Sequence, residues 1–118
     1  MEKKKEELIE WTRKLAESGK AIIVEGQKDR KSLEFFGIKD IVTLKKPLYL
    51  IAEEIAEKSK EAIILTDFDR KGKELYGRLK KDLERNGVKV DNYFREFLQK
   101  NTKLSHIEGL RTYVGNLG

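Results

Sequence analysis

Two runs constrain the fold of this chain more than anything else in it: AIIV at residues 21–24 and AIIL at residues 62–65. Each is apolar at every position. A strand with one wet face alternates apolar and polar residues, so an unbroken run marks a strand covered on both faces, the condition of a parallel sheet. Parallel neighbours cannot be joined by a tight turn, and the chain between them has to cross one face of the sheet, usually as a helix.

The intervening segments carry that periodicity. Residues 2–18 read as an amphipathic helix with Leu8, Trp11 and Leu15 on one face, stopped by Ser18-Gly19. After the first strand, GQKDRKSLEFFG predicts a turn and a short helix ended by Gly37. IKDIVTL, residues 38–44, is a second strand, and Pro47 opens a helix reaching about Ser59 with Leu48, Ile51, Ala52 and Ile55 on one face. EAIILT, residues 61–66, is the third strand. Residues 71–86 form a helix with Leu75, Leu79 and Leu83 four apart, stopped at Asn86-Gly87, and VKV, residues 88–90, is a fourth strand. The remainder predicts two short helices broken near residues 101–105.

Right-handed crossovers then give an α/β fold with a four-stranded parallel sheet, order 2-1-3-4, and helices on both faces. One domain is expected over residues 1–118, with its core at about 20–95 and helical extensions at 1–19 and 96–118. Trp11 and the pair Phe35-Phe36 lie on apolar faces and read as core; Tyr49 and Tyr76 fit either core or surface.

There is no cysteine, which excludes disulfides and zinc-thiolate sites, and no apolar run long enough to cross a bilayer. A cytoplasmic protein with no membrane contact is expected. The net charge of +5, from 26 cations and 21 anions, is modest, but its distribution is uneven. Residues 67–81 carry six cations against three acids, while residues 48–66 carry two against four. The positive excess gathers beside Asp67 and Asp69.

Ligands of open parallel sheets bind beyond the carboxyl ends of the strands, where strand order reverses. VEGQKD places Glu25 and Gly26 at the end of strand one, and TDFDRKGK places Asp67 and Asp69 at the end of strand three. In the order 2-1-3-4 these strands are neighbours, so three carboxylates converge. Unpaired, they would repel and raise one another's pKa; a hard divalent cation cancels that repulsion, with Mg²⁺ the expected occupant and Mn²⁺ its substitute. Lys28, Arg70, Lys71 and Lys73, together with the backbone at Gly26 and Gly72, suit phosphate groups. Asp91, closing strand four, is a further candidate carboxylate.

Taken together, these motifs resemble those of the Toprim domain, the module shared by type IA and type II topoisomerases, bacterial primases, OLD-family nucleases and the nuclease that matures 5S ribosomal RNA. That family carries Glu-Gly after its first strand and Asp-x-Asp after its third, here Glu25-Gly26 and Asp67-Phe68-Asp69, about forty residues apart. VEGQKD is similar to the primase and maturation-nuclease version, in which the Asp matching Asp29 recurs, so the resemblance adds Asp29 to Glu25, Asp67 and Asp69 as a candidate metal ligand. TDFDRKGKEL is similar to the topoisomerase stretch TDPDREGE, with Phe68 in place of Pro and Lys71 in place of Glu. The resemblance covers roughly residues 20–95 and implies that Glu25 serves as general acid or base, that Asp67 and Asp69 hold Mg²⁺, and that nucleic acid, RNA or DNA, is the partner.

Other readings compete. Asp69 ahead of RKGKEL also reads as a helix N-cap, Glu25 as a partner of Lys28 or Arg30, and the cations as a solvated face. His106, the sole histidine, reads as a surface residue. At the level of function, a metal-dependent nuclease competes with a module that binds nucleic acid or a protein partner without chemistry. A phosphatase-like reading of ILTDFDRKG leaves VEGQKD unexplained.

Overall fold

A computed structural model describes residues 2–117. Its elements run α1 (Glu2–Ala16), β1 (Ala21–Val24), α2 (Gln27–Glu34), β2 (Ile41–Thr43), α3 (Leu48–Lys58), β3 (Glu61–Ile64), α4 (Arg70–Arg85), β4 (Lys89–Val90), α5 (Tyr93–Asn101), a 3₁₀ turn (Ile107–Gly109) and α6 (Leu110–Gly115). All strand pairs are parallel, in the order β2-β1-β3-β4. The parallel sheet and its order 2-1-3-4 are as expected from the sequence.

Alternation along β1 divides the core in two. Ile22 and Val24 face a cluster that includes Leu8, Trp11 and Leu15 of α1, Leu33 of α2, Phe94 and Leu98 of α5, and Ile107, Leu110 and Val114. Ile23 faces the other way, toward Ile51, Ala52 and Ile55 of α3 and Leu79 and Leu83 of α4. Both layers are dry, which is why the central strands are apolar from Ala21 to Val24 and from Ala62 to Ile64. Trp11, fully buried, donates from its indole nitrogen to the Phe94 carbonyl at 3.0 Å and ties α1 to α5.

Three local expectations shift. The second strand begins only at Ile41, because the turn that follows α2 passes through Gly37 in the left-handed region (φ 81°), Ile38 tucks into the core with its N–H on the Leu33 carbonyl, and Asp40 is itself left-handed (φ 59°). The third strand ends its ladder at Ile64, although the Leu65 N–H still donates to Ile23 at 2.7 Å. Phe35 is a correction: helix α2 stops one residue before it, and its ring stands 56% exposed under the Arg111 guanidinium, while Phe36 packs on the core. Tyr49 is exposed as well.

Among the described residues, no helix is long and apolar enough to cross a membrane.

Candidate metal centre

The site is built where β1 and β3 end side by side. Beyond β1 the chain turns at Glu25 and Gly26 into α2, and beyond β3 residues 65–69 lead into α4. The two strand ends are locked across the sheet by one bond: the Asp67 backbone N–H donates to Glu25 Oε2 at 2.8 Å, joining residues 42 apart in sequence. Glu25 is half-buried. Its carboxyl titrates above the ordinary range, first because burial disfavours the charge, opposed by the Asp67 N–H, and further through the negative charges of Asp67, Asp69 and Asp29.

Both aspartates spend one carboxylate oxygen on local structure. Asp67, buried, accepts the Ile107 N–H at 2.8 Å through Oδ1. Asp69 accepts the Gly72 N–H at 2.7 Å through Oδ1 and so is the N-cap of α4. Its Oδ2 is turned instead to His106 Nε2, 3.3 Å away. The N-cap and ligand readings of Asp69 are compatible, because each uses a different oxygen. Among the described residues, Asp67, Asp69 and His106 form the one group of three whose ligand atoms all lie within 4.8 Å of one another.

Two oxygens bonded to a Mg²⁺ ion at about 2.1 Å stand roughly 3 to 4.2 Å apart. The carboxylate pair with its imidazole neighbour therefore fits one divalent ion after a small closing of side chains, and the donor set of hard oxygens plus one borderline nitrogen suits Mg²⁺ or Mn²⁺.

The other predicted residues are distributed as follows. Asp29 is buried and accepts the Gly26 N–H at 3.0 Å, stabilising the start of α2; burial chiefly raises its pKa, and it stands outside the group of three. Gly26 has extended backbone (φ −149°) that any residue adopts, and a Cβ there would meet nothing within 4 Å, so neither backbone strain nor packing requires a glycine at this position. Gly72 has another reason to be glycine. A Cβ would lie 1.9 Å from the Asp67 carbonyl oxygen, and the Gly72 N–H is already taken by Asp69, so the residue packs α4 against the loop and offers no donor to a phosphate.

Lys28, Lys71 and Lys73 are exposed and form no ion pair among the described residues, whereas Arg70, 94% exposed, pairs with Glu74 at 3.4 Å. Asp91 is a correction. β4 is short and ends level with the middle of β3, so the carboxylate meets Lys20 at 2.7 Å, beside Glu61 and away from the site. Burial there works to raise the Asp91 pKa, but the Lys20 and Tyr93 hydrogen bonds outweigh it and the net shift is downward.

Two residues that the motifs do not announce complete the centre. His106 lies on the surface, as expected, yet beside Asp69. Arg95 of α5, only 7% exposed, donates from Nε to the Thr66 carbonyl at 3.2 Å and from Nη2 to the Asp67 carbonyl at 2.7 Å. Its guanidinium is sandwiched between Phe68 and Tyr76, 4.7 and 4.8 Å from their ring centroids. Such a buried cation holds the loop from behind and sets a positive charge beneath the carboxylates. A two-residue aromatic bracket around an arginine was not readable without knowing that α5 crosses behind β3.

A groove of about 860 Å³ lies between the end of α1, the β1 and β2 starts and α3, and none of the site carboxylates lines it.

A parallel α/β sheet, covered on both faces, with acidic residues gathered at its strand-order switch, defines the class. The Toprim domain model matches residues 20–99, and the chain belongs to that family. It is 42% identical over 113 residues to a UPF0292 protein of Methanocaldococcus jannaschii, covering 92% of this chain and 88% of that one. A UPF0292 protein of Thermococcus onnurineus is also 42% identical, over 96% of this chain and 83% of the relative. Among solved structures, a protein from Aquifex aeolicus superposes with a TM-score of 0.80 at 34% identity, over 86% of this chain and 95% of that one. The zinc-binding and RNA polymerase domains of the Aquifex aeolicus primase superpose with a TM-score of 0.53 at 26% identity; there the match spans 91% of this chain and 28% of the primase chain.

Proposed function

We propose that this protein is a divalent-metal-dependent phosphoryl-transfer enzyme acting on nucleic acid, with nuclease-type scission as its reaction. The observation that carries this reading is the lock between Asp67 N–H and Glu25 Oε2, which brings one proton-carrying carboxyl and two metal-holding carboxylates to neighbouring strand ends. The primase relationship supports nucleic acid as the substrate class.

Asp67 and Asp69 would hold Mg²⁺, or Mn²⁺ in its place, through the oxygens not spent on Ile107 and Gly72. When bound, the ion neutralises charge on the scissile phosphate. Glu25 keeps its proton to higher pH than an ordinary glutamate and is placed to deliver it to the leaving oxygen, or to take one from the attacking water. Lys28, Arg70, Lys71 and Lys73, on the first turns of α2 and α4, contact flanking phosphates from solvent, and the bare backbone at Gly26 lets the strand come close.

The test offers labelled single- and double-stranded RNA and DNA with Mg²⁺ or Mn²⁺. Cleavage that disappears in Glu25→Gln and in Asp69→Asn is the expected result. Binding that falls steeply with salt, with no turnover in wild type or variants, would refute catalysis and leave a binding module.

A further inference from the structure

Resting on the metal-holding reading of Asp67 and Asp69, we infer that His106 is the third protein ligand of the centre and tilts it toward Mn²⁺ and other first-row ions over Mg²⁺. The imidazole is held over the aspartates by the backbone on both sides of it. The Phe68 N–H donates to the Ser105 carbonyl at 2.9 Å, and the Ile107 N–H donates to Asp67 Oδ1 at 2.8 Å. Ile107 is fully buried, so the segment is anchored in the core immediately after the histidine.

The ring is placed by contacts at both nitrogens: Nδ1 lies 2.9 Å from Ser105 Oγ and Nε2 lies 3.3 Å from Asp69 Oδ2, so that in the tautomer with Nδ1–H donating to the serine, Nε2 offers its lone pair on the side of that carboxylate oxygen. A divalent cation shared by that lone pair and the carboxylate oxygen takes the place of the proton that would otherwise join them. Asp67 and Asp69 each retain one uncommitted oxygen, so the protein supplies two single-oxygen donors and one nitrogen within 4.8 Å, leaving the solvent side for water and substrate.

Donor chemistry sets the preference. Mg²⁺ favours an all-oxygen octahedron, whereas imidazole suits first-row transition ions, whose affinities rise along the Irving–Williams series. The serine that fixes the ring is the outer-sphere partner expected of a ligating histidine.

Because His106 is the sole histidine, one imidazole appears in a long-range ¹H–¹⁵N spectrum of labelled protein. Zn²⁺, as a diamagnetic probe, is expected to move the Nε2 resonance in wild type and to move it far less in Asp69→Asn; Mg²⁺ is expected to leave it in place. In parallel, Mn²⁺ binding is read from the free-ion electron paramagnetic resonance signal, and Mg²⁺ binding by competition. His106→Gln should weaken Mn²⁺ about 10- to 100-fold, with a much smaller effect on Mg²⁺. Circular dichroism melts of the variants confirm that each is folded.

If wild type binds neither Mn²⁺ nor Mg²⁺, the metal-holding reading itself falls and takes this inference with it. If Asp69→Asn loses the metal while His106→Gln keeps wild-type Mn²⁺ affinity and the ring nitrogen does not move, the centre stands. In that case the histidine is only an ion-pair partner of Asp69. A Zn²⁺ shift of equal size in wild type and Asp69→Asn likewise overturns the inference, since the ring would then be binding alone.

Discussion

Glycine-to-alanine substitutions at two positions of α4 should change stability in opposite directions. At Gly72 the new Cβ would lie 1.9 Å from the Asp67 carbonyl oxygen and 2.4 Å from its carbon, both rigid backbone atoms. Carbon and oxygen come no closer than about 3 Å, so the helix start and the loop must part by roughly 1 Å. Overpacking of this kind costs about 1 to 3 kcal/mol. The same displacement strains the Thr66 hydroxyl bond to the Gly72 carbonyl, 2.7 Å long and buried, worth about 1 kcal/mol. Against this stands the helix preference of Ala over Gly, about 1 kcal/mol. The net loss is about 1 to 3 kcal/mol. At Gly77 a Cβ meets nothing within 4 Å, so only the gain remains. With about 2.1 cal/mol/K of unfolding entropy per residue, a chain of 118 residues moves its midpoint by roughly 4 °C per kcal/mol. Thermal melts in metal-free buffer should therefore show Gly72→Ala about 4 to 12 °C below wild type and Gly77→Ala roughly 4 °C above it. A Gly72→Ala protein that melts at or above wild type would refute the packing argument.

Arg95→Met keeps the apolar stem but strands the Thr66 and Asp67 carbonyls; a loss of about 2 to 4 kcal/mol in urea titrations is expected, with weaker Mn²⁺ binding, and Arg95→Lys should recover less than half. An Arg95→Met protein as stable as wild type would remove its positioning role. Glu25 titrates above its ordinary 4.5, so the folded state holds a proton that the unfolded chain has lost, and stability falls as pH rises through that window. The melting difference between Glu25→Gln and wild type, measured without metal, should therefore grow with pH across the window and level off above it; a difference independent of pH sinks the assignment. Asp91→Ala should leave Mn²⁺ affinity unchanged and cost about 1 kcal/mol, a deficit present above the ordinary carboxylate range and vanishing as pH falls through the depressed native value. Altered metal binding in that variant would return Asp91 to the site.

Sequence alone determined the parallel sheet and the placing of Glu25, Asp67 and Asp69 beyond the carboxyl ends of its strands, and the expected order 2-1-3-4, which makes those ends adjacent, is the one the structure has. The reason is that strands apolar at every position, such as those around Ile23 and Ile63, have one way to be buried: between two helical layers, with their polar successors expelled at the ends. The N-cap role of Asp69 was legible for a similar reason, since capping depends on residues three apart.

Tertiary structure decided the rest. His106 reaches Asp69, and Arg95 reaches the Thr66 and Asp67 carbonyls, because α5 and the 3₁₀ turn fold back onto the sheet face that α1 and α2 cover. Asp91 goes to Lys20 because β4 is two residues long, a length no motif announces. Phe35 is exposed because α2 ends at Glu34 and the chain leaves the apolar face one residue early. Local periodicity reports which side of an element is dry. Which polar groups meet across the molecule depends on where the elements dock, and contacts between residues tens of positions apart leave no trace in the local pattern.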